Sequence, residues 1–242
     1  MTDDTHDETA TESNGATNET ADGEQDADAP SGPVEPQPIT PAAPEAFGRV
    51  QVWWGGGKGK TTAAMGMGMR AAGHGYRVHL LQFMKGGAAS VEDVRGEYNA
   101  IAALSGFSYE NSGHYGWHGS LDGTDEDAHE ARAAAGLERT RELLDAAADG
   151  DPTTQVALDA PPEAGVHLLI LDEILYAANR GLIDPDDVVE LIERAPEQLE
   201  LVLTGGHEEP TYATSEADLV THVEKRRHHF DEGGRARKGT EF

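Results

Sequence analysis

"WWGGGKGKTTAAMGMGMRAAGHG" (residues 53–75) decides the fold. Its two tryptophans close the apolar run "RVQVWW" (49–54), glycines follow, and small helix-forming residues continue to a "GHG" stop (73–75). Strand, glycine loop, helix is the setting in which a phosphate-binding loop works. The spacing departs from the common G-x-x-x-x-G-K-[ST]. Trp54 stands where the first glycine would be, and the nearest glycine, Gly55, leaves three residues before Gly59 instead of four.

The loop's chemistry follows from its residues. Glycines let successive N–H groups converge on an anion, and a helix N-terminus adds partial positive charge. Gly55, Gly56, Gly57, Lys58, Gly59, Lys60, Thr61 and Thr62 are therefore the expected nucleotide contacts. Lys60 would neutralise phosphate oxygens, Lys58 supplies a second cation, and the Thr61 hydroxyl suits Mg2+. The chain has only five lysines and two stand in this loop, which an ordinary solvated turn does not require.

Downstream, strand and helix patterns alternate. "YRVHLLQFM" (76–84) reads as a strand and "SVEDVRGEYNAIAAL" (90–104) as a helix. "GFSYEN" (106–111) reads as a short strand or loop, and residues 125–149 as the longest helix. A polar loop (149–165) precedes "VHLLILDE" (166–173), whose continuous apolar run predicts a central parallel strand. "DPDDVVELIER" (184–194) is a helix with an Asp cap and Pro at its first position. "LELVLTGG" (199–206) is another strand, and "ADLVTHVEKRRHHF" (217–230) the expected last one. The alternation predicts an α/β fold, a mainly parallel sheet with helices on both faces.

Asp172 and Glu173 end the central strand. An acid there is costly to desolvate unless it is paired or metal-bound. With Thr61 they form the expected metal set, facing the loop across the carboxyl edge where open α/β sheets bind ligands. These elements define a Mg2+–nucleotide site without saying which bond breaks. His114, Trp117 and His118 match no strong metal-ligand spacing.

Composition narrows the partners. The formal charge is −27, and residues 1–46 hold 12 of the 45 acids and no Lys or Arg. The remaining excess of acids repels nucleic acid and anionic lipid, so neither is an expected partner. Few lysines and many acids together fit a high-salt cell, where self-repulsion is screened. No cysteine is present, which excludes disulfides and thiolate metal sites. No run of 18 apolar residues occurs, and the acidic start lacks a signal-peptide pattern, so a cytoplasmic protein is expected. Residues 1–46, acidic and Pro-rich, have too few large apolar groups to offset their ordering entropy and are expected to be a disordered tail before a domain at 47–242.

Over residues 49–242 the sequence resembles the P-loop corrinoid adenosyltransferases. The landmarks are "GGGKGKTTAA", "RAAGHG", "LQFMKG", "GFSYE", "LLILDEILYA", "LVLTGG" and the ending "ADLVTHVEKRRHHFDEGGRARKGTEF". The short loop is normal in that family. The resemblance implies a RecA-like P-loop fold and transfer of the 5′-deoxyadenosyl group of ATP to Co(I) of a corrinoid, with release of triphosphate. It implies Lys60 as a catalytic cation. It also implies that Phe107 and Tyr109, the latter where relatives often carry Trp, form an aromatic wall that makes Co(II) four-coordinate and reducible. The expected cofactor is Mg2+ or Mn2+, with ATP as co-substrate. The expected partners are a reduced corrinoid, an electron donor such as a flavoprotein, and a second copy in a homodimer. Two departures stand out. Gly206 replaces the Arg of the family's "TGR", with Arg70 or another base expected to compensate, and "KHPF" becomes Arg227-His228-His229-Phe230, leaving His228 a candidate nucleotide or corrinoid contact. A P-loop kinase or ATPase, or a nucleotide-gated corrinoid carrier without chemistry, are the competing readings.

Overall fold

The structure, a computed structural model, describes residues 35–44, 47–85, 96–113, 126–235 and 237–240. Among them, six strands form one sheet: β1 (Val50–Trp54), β2 (Val78–Phe83), β3 (Phe107–Ser112), β4 (Leu168–Asp172), β5 (Glu200–Gly205) and β6 (Leu219–His222). Their order is β3-β2-β4-β5-β1-β6, and every neighbouring pair is parallel. The loop strand β1 and the acid-bearing β4 are separated by β5, the RecA-like arrangement.

The apolar runs of β2, β4 and β5 are buried on both faces because both are covered. Leu81, Phe83, Leu169, Leu171, Leu201 and Leu203 pack on one side with α3 (Glu126–Asp149), α4 (Ile174–Asn179), α5 (Pro185–Arg194) and α6 (Thr211–Thr214). Val78, Leu80, Leu168, Ile170 and Val202 pack on the other with α1 (Lys60–Gly73) and α2 (Gly96–Ala102). Each buried Leu or Ile contributes about 1.5–3 kcal/mol of transfer free energy.

Local chemistry sets several boundaries as expected. The Asp184 side chain accepts from Asp186 N at 3.0 Å, and Pro185 opens α5. His74 and Gly75 close α1 with backbone bonds to Ala71 and Ala72. The helix expected over 90–104 is described as Gly96–Ala102, and residues 90–95 lie outside the described part.

The last strand differs from expectation. Only Leu219–His222 pairs, and all four residues are exposed. It is an edge strand, and the following Lys-Arg-Arg-His-His run offers no apolar alternation to pack on a core; it leads instead to a short 3-10 turn at His229–Glu232. The short helices α4 and α6 escaped the sequence reading because each is too brief to show a helical period.

The compact unit runs Pro38–Phe242, so the end of the Pro-rich stretch belongs to it. Ala42 N donates to Gly75 O at 3.0 Å. Residues 1–34, on which most of the expected tail falls, lie outside the described part. Among the described residues no helix is long and apolar enough to cross a membrane.

Candidate functional site

The site forms at the carboxyl edge of β1, β4 and β5. The loop turns at Gly55 and Gly59, whose φ values of 117° and 107° suit glycine. The first intrahelical bond of α1 is Ala63 N to Gly59 O at 2.8 Å. The N–H groups of Lys60, Thr61 and Thr62 therefore have no intrahelical acceptor. Gly59 caps α1 without a side-chain hydrogen bond, and no acid stands in the first turn. That helix end retains its attraction for an anion.

Two flanking segments brace the loop. Gly55 N donates to Gly206 O at 3.1 Å, and Gly57 N donates to Val223 O at 2.8 Å. His222 stacks on Trp54 with ring centroids 4.0 Å apart. Gly206, the departure from the family's Arg, has φ 71°, and a Cβ there would lie 2.8 Å from Asn179 Oδ1. The backbone is thus tuned to glycine at this position. Arg70 does not fill the gap. It sits in the last turn of α1, ten residues beyond Lys60, or about 15 Å along the helix.

Lys60 curls back over the loop, donating from Nζ to Gly55 O at 2.5 Å and Gly57 O at 3.0 Å. Burial lowers its pKa, against the opposing pull of Glu173 and Asp172. Lys58 lies above the Phe230 ring, 5.3 Å from the centroid. His228 is reached through that same segment: it stacks on His229, meets Phe230 edge-on, and its Nδ1 accepts from Phe230 N. The structure so brings the C-terminal turn to the exposed side of the loop.

Asp172 is fully buried, and its carboxylate has four donors. Thr61 and Thr204 hydroxyls donate to Oδ1 at 2.8 and 2.6 Å; Lys85 Nζ and Gln82 Nε2 donate to Oδ2 at 2.6 and 3.0 Å. Burial alone would push this carboxyl up, but the Lys85 charge and the bonds from Lys85, Thr204 and Thr61 outweigh it and hold it below the usual carboxylate range. Glu173 follows at φ 63°, a left-handed conformation that costs a non-glycine residue on the order of 1 kcal/mol and concentrates at functional sites. Burial, then the Asp172 charge, push its carboxyl up.

Among the described residues no group of three His, Asp or Glu could hold a metal. The Thr61–Asp172 pair fits a hard divalent ion all the same. Mg2+ takes oxygen donors, uses one or two protein ligands, and completes its shell with water and phosphate oxygens. The pair already accommodates positive charge, because Lys85 Nζ touches both Asp172 Oδ2 and Thr61 Oγ1, the latter at 3.0 Å. Lys85 was missed as a site residue, although the "LQFMKG" landmark contains it. Its one available signal was being a scarce lysine just beyond a buried strand.

A polar row extends from Asp172 across the sheet. Gln82 stands beside Asp172 on β2, and Asn111 beside Gln82 on β3. Gln82 Oε1 accepts from Tyr98 OH at 2.7 Å and from Asn111 Nδ2 at 3.1 Å. The Tyr98 ring stacks on Tyr109, with centroids 4.5 Å apart and planes 6° from parallel. Tyr109 is half-buried. Phe107 is different: it is 7 % exposed and belongs to the core beneath α1. A Cβ on Gly68 would lie 2.8 Å from its ring. Phe107 and Tyr109, the two residues of the expected aromatic wall, thus stand in different surroundings. Tyr98 is the ring stacked on Tyr109, and Phe107 begins its strand opposite Val78, at the end away from the carboxyl edge. His114, Trp117 and His118 lie outside the described residues.

Comparisons with known proteins place the chain in a family. A family model described as ATP:corrinoid adenosyltransferase BtuR/CobO/CobP matches residues 46–242. A corrinoid adenosyltransferase of Pseudomonas aeruginosa is 32 % identical over 78 % of this chain and 80 % of its own length. Those of Escherichia coli and Salmonella typhimurium, the second named CobA, are each 27 % identical over 83 % of this chain and 88 % of theirs. With a short phosphate loop, an acid-bearing central strand and a family match that runs through both, the chain belongs to the ATP:corrinoid adenosyltransferases.

Proposed function

We propose that this chain transfers the 5′-deoxyadenosyl group of ATP to Co(I) of a corrinoid substrate. Co(I) attacks C5′, the C5′–O bond breaks, and triphosphate leaves with the bonding electron pair. Co(I) is a strong nucleophile, so no general base is required. The observation that carries this reading is the joining of an uncapped α1 N-terminus and Lys60 to the Thr61–Asp172 pair at one sheet edge. All of these groups act on the leaving triphosphate, by electrostatic preorganisation.

In this reading Lys60 exchanges its loop carbonyls for phosphate oxygens, and Lys58 adds charge from the open side. Gly55 through Thr62 provide the cradle. Thr61 and Asp172, with Glu173 beside them, would hold Mg2+ or Mn2+, which supplies charge neutralisation of the leaving group. The Tyr109–Tyr98 stack offers the aromatic face for a corrinoid, and Phe107 supports it from the core. His228 approaches the nucleotide from the C-terminal turn. An electron donor such as a flavoprotein, a homodimeric state, and a cytoplasmic setting of high salt complete the proposal; the acidic surface and scarcity of lysine support the last.

Anaerobic incubation with ATP, Mg2+ and a reduced corrinoid tests it. The expected result is a light-sensitive organocobalt spectrum with release of intact triphosphate. Release of ADP or orthophosphate, without a Co–C product, would overturn the reading.

A further inference from the structure

We propose that Lys85 is a resident cation of the metal position, and that its ammonium and a divalent ion compete for the same two oxygens. This rests on the reading of Thr61 and Asp172 as the metal-holding pair. Lys85 Nζ lies 2.6 Å from Asp172 Oδ2 and 3.0 Å from Thr61 Oγ1. An ion ligated by that hydroxyl and that carboxylate requires the place the ammonium fills. The rest of the carboxylate is already engaged, by Thr61 and Thr204 on Oδ1 and by Gln82 on Oδ2.

The site's burial explains why a cation resides there. Asp172 is fully buried, and the Lys85 side chain is only 17 % exposed. Without Lys85 the carboxylate would be hydrogen-bonded by neutral donors alone, with Lys60 acting only at longer range, an unfavourable state for a buried charge. A metal arriving with nucleotide relieves the same need. The buried acid then stays paired throughout: one cation replaces the other, and the released ammonium follows the polyphosphate on its flexible stem.

The backbone supports this placement. Met84 is held at φ 57°, a left-handed turn between the end of β2 and Lys85. Gly113, just past β3, packs against that turn so closely that a Cβ would lie 2.2 Å from Lys85 N. Lys85 is thus delivered to Asp172 by a turn clamped from the neighbouring strand, on a side chain long enough to leave.

Mn2+ binding in the absence of nucleotide, followed by electron paramagnetic resonance, tests the competition. Wild type should bind free Mn2+ weakly, and Lys85→Met should bind it about 10-fold more tightly, equivalent to about 1.4 kcal/mol. Lys85→Arg should stay close to wild type, and the double variant Lys85→Met with Asp172→Asn should lose the gain. No tightening in Lys85→Met, or a gain that survives Asp172→Asn, overturns the proposal. Should Lys85→Met unfold in metal-free buffer, recovery of its folded signal on adding Mn2+ supports the exchange, and no recovery overturns it. Mn2+ with ATP on wild type separates the two levels. Failure to bind them together sinks the metal reading and this inference with it, whereas joint binding without tightening in Lys85→Met sinks the competition alone.

Discussion

The phosphate loop and strand β3 both carry family landmarks, yet they occupy opposite physical settings. In the loop, Lys58, Gly59 and Thr62 are exposed, and the chemistry is offered by contiguous backbone and short side chains. In β3, Phe107 is packed against Gly68 while Tyr109, two residues on, lies half-exposed against Tyr98. The lesson concerns locality. A glycine loop running into a helix makes its site from neighbours in sequence. A strand reaches the functional edge only at its carboxyl end, so position along the strand decides between core and site.

The largest expected effect breaks or keeps the loop half. Lys60→Ala should lower kcat/KM by about 10³-fold, about 4 kcal/mol of transition-state stabilisation, while the melting temperature changes little. A variant that kept its activity would remove the chemical role from the loop. The matching change in β3 should act on folding instead. Phe107→Ala should cost about 3 kcal/mol of stability in denaturant unfolding, because it empties a packed site against α1. A stable Phe107→Ala protein with impaired Co(II) reduction would support the aromatic-wall role and erase the contrast.

A third measurement sharpens the comparison through acid sensitivity. His79, beside Ser108 of β3 and 2.8 Å from its hydroxyl, is held down to about 4 by burial, and so is His167. Both stay neutral in the folded state while the unfolded chain takes up protons below the ordinary value of 6.5. Their contribution is therefore complete above about pH 6.5 and is lost as pH falls toward 4. Each adds a slope of up to about 1.4 kcal/mol per pH unit in that window. Unfolding curves from pH 7 to 4.5 should show this fall, and His79→Gln should flatten it by its share. The smallest effect belongs to Tyr109→Phe, which retains the ring stacked on Tyr98. Its stability should change by less than about 0.5 kcal/mol, so any loss it shows in corrinoid turnover would report the hydroxyl alone.

The resemblance and the alternation of elements made most of the sheet legible from residues 49 to 206, because buried parallel strands write continuous apolar runs. The final strand was overextended, since an exposed edge strand leaves no such run. The loop site was legible for a similar reason: its donors are consecutive. Lys85, Gln82 and Tyr98 were not, because each joins Asp172 or Tyr109 only through strand register and the packing of α2.

The sequence by itself determined the α/β class, the helix caps, the position of the phosphate loop and the family. These rest on local rules of turn, cap and period, which neighbouring residues satisfy among themselves. Tertiary structure alone decided that Arg70 is remote, that Phe107 is core, and that a lysine more than twenty residues past the loop neutralises its acid. Those outcomes depend on which strand ends meet at one edge of the sheet, and it is the burial of Asp172 there that makes a distant cation necessary.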